Sequence, residues 1–256
     1  MTDRLAAIRD ELRALEVDLA ARLDTDRSRS RGEVVRAMHE VRRMLGGTDY
    51  PYASQAGQDR VVDRALGGRR GGTFVDVGGY NGVTGSNTLF FEQYRGWTGV
   101  LVEPVSAMRA AAETVRRCPC LPYAVAAGSG EATFVEVAEG FRQMSGLADS
   151  YDTDTLARVR ADPRHRERTI RVETRDLGAI LGDAGLTAPD FVSLDIEGGE
   201  VAALETFDFT RFAVRFWAIE NNGGGPRIGE IMRDTGHDLI EFCGADELWR
   251  RRDTSA

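Results

Sequence analysis

Thr73-Phe-Val-Asp-Val-Gly-Gly-Tyr-Asn-Gly82, running on to Ser86-Asn-Thr88, is the stretch whose reading decides the fold. Phe74, Val75 and Val77 are β-formers in a short apolar run bounded by glycines, which suits a buried parallel strand. Gly78, Gly79 and Gly82 permit a tight turn and let backbone approach a ligand closely. Ser86 or Asn87 is placed to cap a following helix. Asp76 falls at the strand's C-terminal end, where open α/β sheets bind ligands.

Taken alone, the glycine turn reads equally well as a purely structural turn. The next apolar run, Thr98-Gly-Val-Leu-Val-Glu-Pro104, sharpens it, because it also ends in an acid. Strand, glycine loop, helix, strand, acid is the layout of a site for an adenosine-containing ligand, with Glu103 accepting hydrogen bonds from ribose hydroxyls. The glycine spacing is not G-x-G-x-x-G, which disfavours a nicotinamide oxidoreductase.

With these residues on the page, the sequence resembles the FkbM family, class I methyltransferases dependent on S-adenosylmethionine. The resemblance is carried by Phe74–Thr88, by Gly96-Trp-Thr-Gly-Val-Leu-Val-Glu-Pro104 and by Ser193-Leu-Asp-Ile-Glu-Gly-Gly-Glu200. Ser54-Gln-Ala-Gly-Gln-Asp59 is similar to that family's opening motif. It covers residues 50–252, leaves out 1–48 and does not name the acceptor. It implies a Rossmann-like α/β fold, with a mainly parallel seven-stranded sheet and helices on both faces. It also implies a cofactor site drawn from Gln55, Gln58, Asp76, Gly78, Gly79, Tyr80, Gly82, Ser86, Asn87, Glu103, Pro104 and Ala126.

Composition sets the outer bounds. A chain of 256 residues holds one α/β domain plus an accessory segment. The net charge of −8 gives no basic footprint for nucleic acid, and every basic residue is arginine. Cys118, Cys120 and Cys243 are too few and wrongly spaced for a disulfide framework or zinc site. No signal-peptide core and no apolar run of ~20 residues is present, so a cytoplasmic protein without membrane contact is expected.

The domains expected are an N-terminal helical segment, 1–48, and a methyltransferase domain, 49–256. In the first, Leu5, Ile8, Leu12, Leu15 and Leu19 alternate by threes and fours, the seam of a coiled coil. A second helix is predicted over Glu33–Leu45. The pair reads either as a homo-oligomer contact or acceptor-pocket wall, or as a hairpin packed on its own domain. In the second domain, strands are predicted at 73–77, 98–102, 191–195 and 216–220, alternating with helices, and His237–Phe242 and Asp246–Trp249 close it as an antiparallel pair. Tyr123-Ala-Val-Ala126 reads as the third parallel strand, its end bordering the adenine ring. Ala132–Val137 and Thr169–Glu173 read as additional strands. Residues 139–168 read as a solvated loop or as a lid over the acceptor.

Two further strands end in acids, Asp195 and Glu220, with Asn221 beside the latter. On neighbouring strands these oxygen ligands suit Mg²⁺. The arrangement is similar in position and type to the metal sites of catechol-type and macrolide-sugar methyltransferases. The plainer reading is that the acids hold loops through backbone N–H groups. Asp195, Glu197 and His165 are the candidates for deprotonating an acceptor hydroxyl. The expected activity is O-methylation of a small-molecule or glycan acceptor, on a sugar or a secondary metabolite. The rival is a non-catalytic cofactor-binding assembly protein using the N-terminal coiled coil.

Overall fold

Side chains alternate sides along a strand, and in the computed structural model this alternation sorts the core into two layers; residues 2–151 and 153–252 are described. The chain opens with helices α1 (Thr2–Thr25), α2 (Arg31–Gly46) and α3 (Gln58–Ala65). Strand β1 (Thr73–Val77), α4 (Leu89–Arg95), β2 (Thr98–Val102), α5 (Ser106–Glu113) and the short β3 (Cys120–Leu121) follow. Next come β4 (Tyr123–Val125), β5 (Gly130–Glu139), β6 (Gly146–Leu147), α6 (Thr153–Arg160) and β7 (Arg166–Arg175). The chain then runs through α7 (Leu177–Asp183), β8 (Phe191–Leu194), α8 (Glu200–Glu205), β9 (Phe216–Glu220) and α9 (Arg227–Asp234) to β10 (His237–Cys243) and β11 (Asp246–Arg251).

Seven strands form the main sheet in the order β10-β11-β9-β8-β1-β2-β3. From β9 to β3 the neighbours are parallel; β11 runs antiparallel to both β9 and β10. This is the expected Rossmann-like, mainly parallel sheet with an antiparallel closing pair. Val75, Val77, Val192, Leu194, Trp217 and Ile219 face one layer, against Leu177, Ile180 and Leu181 of α7 and Ile228 and Met232 of α9. Phe74, Phe191, Phe216 and Ala218 face the other, against Val35 of α2, Val62 of α3 and Phe90 and Phe91 of α4. Helices therefore cover both faces.

Successive connections leave β1 in opposite directions, to β2 on one side and eventually to β8 on the other. That makes the C-terminal edge of β1 and β8 the switch point, where a crevice opens.

The expectation for Tyr123–Ala126 is corrected. The third parallel strand of the main sheet is β3, and β4 pairs instead with β7 in a second, four-stranded sheet ordered β4-β7-β5-β6. Pro122 stands between the two short strands, where its fixed φ and missing N–H let the chain pass from one sheet to the other. Val105, Ala124, Phe134 and Val172 pack this sheet against the end of β2.

The N-terminal helices form a hairpin. Leu19 of α1 is buried against Val34, Met38 and Val41 of α2, with Leu12 and Leu23 alongside. In turn α2 packs on the domain: Arg31 pairs with Glu241 and Arg29 with Glu247. Of the predicted seam, Leu5 (58% exposed), Ile8 (44%) and Leu15 (43%) remain at the surface. Among the described residues, no helix is long and apolar enough to cross a membrane.

Candidate active site

The turn after β1 is built by contacts that only glycine permits. A Cβ on Gly78, whose φ is +78°, would lie 1.7 Å from the carbonyl oxygen of Asp195. One on Gly79 would lie 2.3 Å from the Leu101 side chain. The loop is thus pressed against β8 on one side and β2 on the other, leaving its backbone bare toward the crevice. Tyr80 follows with φ of 48°, one of two non-glycine residues in the left-handed region among those described. Ser86 ends the turn: its Oγ accepts the backbone N–H of Leu89, the first residue of α4, at 3.1 Å, although the N-cap position itself is Thr88 and not Ser86 or Asn87.

Glu103 closes the loop from β2. Its Oε2 accepts the Tyr80 N–H at 3.0 Å and its Oε1 the Val105 N–H at 2.7 Å. Burial pushes its carboxyl up to about 7. Asp76 lies deeper, accepting from Thr88 Oγ1 at 2.5 Å and from Ser86 Oγ at 3.1 Å. Arg116, an interior residue that the sequence reading missed, pairs with Asp76 at 3.2 Å and Glu92 at 2.9 Å.

Asp76, Ser86 and Glu103 line a cavity of about 600 Å³, together with Gln55, Gly78, Gly79, Tyr80, Asn87 and Pro104. That volume suits a ligand of cofactor size. Three of the expected cofactor residues face elsewhere. Gln58 is buried at the start of α3, accepting the Ala56 N–H and donating to Asp246 at 3.0 Å. Gly82 turns the loop against Ala112 and Arg116. Ala126 lies one residue past β4, and Tyr123, Ala124 and Val125 form that wall of the cavity instead.

At the other end, Asp195 and Glu220 leave the ends of adjacent strands, as their positions suggested. The third carboxylate with them is Glu197, not Asn221; single oxygens of Asp195, Glu197 and Glu220 lie within 4.8 Å of one another. The Asn221 amide is turned away, donating to Glu247 Oε1 at 2.7 Å and to the Gly225 carbonyl at 3.0 Å. Glu197 reaches the cluster because its backbone takes the left-handed conformation, φ 60°, just past β8. Tyr151 and Gly146 pack against that turn. Burial first, and then the neighbouring carboxylates, push Asp195, Glu197 and Glu220 all upward. Oε2 of Glu220 is buried with no hydrogen-bond partner among the described residues. Carboxylates this close need protons or a cation between them.

Residues 139–168 divide. The stretch from Gly140 to Ser145 lies along the cavity, and Gln143 Nε2 reaches the Thr84 carbonyl of the glycine loop at 3.4 Å. The histidine candidate is corrected: His165 stands outside the cavity, where Nε2 meets Glu167 Oε2 at 2.9 Å. It precedes β7 of the second sheet, whose pairing with β5 carries it away from the switch point.

The arrangement can hold a long ligand with a ribose at Glu103 and a polar head beside the carboxylate trio. The family described as Methyltransferase FkbM domain matches residues 76–244. No curated protein is significantly similar in sequence. Among solved structures, an FkbM methyltransferase from Methylobacillus flagellatus is 14% identical, covering 93% of this chain and 58% of that one at a TM-score of 0.43. A TehB-like S-adenosylmethionine-dependent methyltransferase from Corynebacterium glutamicum is 12% identical, covering 84% and 96%, at a TM-score of 0.41.

Proposed function

This chain belongs to the FkbM family of S-adenosylmethionine-dependent methyltransferases, and from that premise we propose that it O-methylates a hydroxyl of a sugar or secondary metabolite, aided by a divalent cation at Asp195, Glu197 and Glu220. One observation carries the reading. Three carboxylates, Glu197 buried and Asp195 and Glu220 half-buried, converge on the cavity that also contains Glu103 and the glycine loop, and one of their oxygens, Glu220 Oε2, has no hydrogen-bond partner among the described residues.

The cofactor site fits its group. A loop in which side chains at Gly78 and Gly79 would clash with the protein itself leaves room for a ligand against bare backbone. Glu103 spends one lone pair per oxygen on its own backbone contacts and keeps the others for ribose hydroxyls. When bound, the cofactor supplies a methyl already activated on a sulfonium. The protein must then hold a hydroxyl in line with that methyl and help remove its proton. Hard oxygen ligands in the trio suit Mg²⁺, which in such a site lowers the pKa of a hydroxyl. Without a cation, Glu197, which lines the cavity and accepts from Asn222 Nδ2 at 3.4 Å, is the carboxylate that takes the hydroxyl proton.

The test is methyl transfer from labelled S-adenosylmethionine to a panel of sugar and phenolic hydroxyl acceptors. Chelation with EDTA is expected to abolish turnover, and Mg²⁺ or Mn²⁺ to restore it. Asp195→Asn is expected to lose turnover while still binding S-adenosylhomocysteine. Full turnover after exhaustive chelation removes the cation from the reading. Transfer only to nitrogen or carbon acceptors removes O-methylation.

A further inference from the structure

The cavity's charges are unbalanced in a way that bears on the N-terminal hairpin. Asp76, Glu103, Asp195, Glu197 and Glu220 line it, and of these Asp76 has its counter-charge in Arg116. The amino-acid tail of S-adenosylmethionine brings one more carboxylate into this acidic space. Without a cation at the tail's end, that carboxylate is repelled.

Among the described residues two basic side chains line the cavity, Arg36 on α2 and Arg142 in the Gly140–Ser145 stretch. Arg142 approaches Met108 Sδ of α5, the helix that follows Glu103, at 3.9 Å. Arg36 places its stem beside Gly244, which also abuts Ala56, and the neighbouring Gln55 packs on Gly85 of the glycine loop. With the ribose at Glu103 and the sulfonium toward Asp195, the tail points along the glycine loop to Gln55 and Arg36.

Helix geometry explains how Arg36 reaches there. Gly32, Val35, Arg36 and His39 share the inward stripe of α2. Gly32 accepts the Gly244 N–H at 3.0 Å, Val35 enters the core, and His39 lies against Gly57. These three seat the helix on the domain. Arg36 is the charged member of the stripe, and among the described residues its only ion pair is a loose contact to Glu40 at 3.9 Å on its own helix.

We propose that Arg36 pairs with the carboxylate of the cofactor's amino-acid tail, making the N-terminal hairpin a part of the cofactor site. The inference rests on the S-adenosylmethionine reading of the cavity. It assigns α2 a role that the glycine loop and Glu103 do not supply.

Calorimetric titration of the full-length chain tests it with two probes, S-adenosylhomocysteine and 5′-methylthioadenosine, which lacks the tail. Arg36→Met keeps the apolar stem and removes the charge. It is expected to weaken S-adenosylhomocysteine about tenfold or more, as for a hydrogen bond to a charged group. Its 5′-methylthioadenosine affinity is expected to change less than about twofold, and Arg36→Lys to recover part of the loss. Unchanged S-adenosylhomocysteine binding, or equal losses for both probes, overturns the pairing. So does a tail-specific loss in Arg142→Met with none in Arg36→Met. If the native chain binds neither probe, the cofactor reading beneath the inference falls, and the inference with it.

Discussion

Arg116 lies wholly out of solvent and donates from Nη1 to Asp76 Oδ2 at 3.2 Å, so the acid at the head of the glycine loop is neutralised from within the protein. The same guanidinium bonds Glu92 through Nε at 2.9 Å and Thr88 Oγ1 through Nη2 at 2.8 Å. It also reaches the Gly82 carbonyl at 3.3 Å. One side chain therefore ties β1, the glycine loop and α4 together.

Removing it leaves two buried acids without a cation. Arg116→Met is expected to destabilise the fold by about 3–5 kcal/mol, the usual cost of breaking a buried ion pair from one side. Urea unfolding measures this directly. Because the loop carbonyl and the α4 start lose their anchor, S-adenosylhomocysteine binding should weaken in the same variant. A loss under ~1 kcal/mol, the size of a surface pair, would show that the network contributes little.

His39 gives the fold a pH dependence with a definite sign. Its ring is buried between α2 and the opening loop, with Nδ1 3.0 Å from Tyr50 Oη. Burial, reinforced by nearby Arg43, pulls its pKa from 6.5 down to about 4. Between those values the unfolded chain binds a proton that the folded chain refuses. The stability held above pH ~6.5 is therefore lost as pH falls toward ~4. Asp59 and Asp246, both pushed up to about 6, act in the opposite direction. The clean observable is thus the difference between native protein and His39→Gln. Across that window the native protein should lose more stability than the variant, and parallel curves would contradict the burial argument.

What the sequence made legible was whatever a strand places by itself. Asp76, Glu103, Asp195 and Glu220 each end a parallel strand, and parallel strands bring their C-terminal ends to one edge. What it hid depends on the turn beyond the strand. Glu197 joins the trio through one left-handed residue, and Asn221 leaves it because Glu247, on the neighbouring strand β11, takes its amide. Arg116 lies in the loop after α5 and Arg36 on α2, places where an arginine ordinarily faces water; packing buries the first and sets the second, half-exposed, at the cavity. Tyr123–Val125 has the composition of a sheet strand, but nothing local in it specifies which sheet.

The hairpin offers the last prediction, because its two helices are bound to the domain so differently. Helix α1 rests on α2 through Leu12, Leu19 and Leu23, with Arg42 pairing to Glu16 at 2.7 Å. Helix α2 instead enters the core: Val35 packs with Val62, Phe74 and Cys243, and the Arg29 and Arg31 ion pairs hold Glu247 and Glu241. A chain beginning at Asp26 should therefore keep a cooperative fold and bind S-adenosylhomocysteine. A chain beginning at Gly47 removes a core side chain and the partners of the buried Glu247 and the half-buried Glu241, and should lose about 3 kcal/mol or more in urea unfolding. We propose the exposed apolar stripe of α1, with Leu5, Ile8 and Leu15, as a contact between two copies of the chain. On that proposal, light scattering at micromolar concentration gives a dimer for the full chain and a monomer for the chain beginning at Asp26. A full-length monomer removes the contact, while a Gly47 chain as stable as the native one removes α2 from the core.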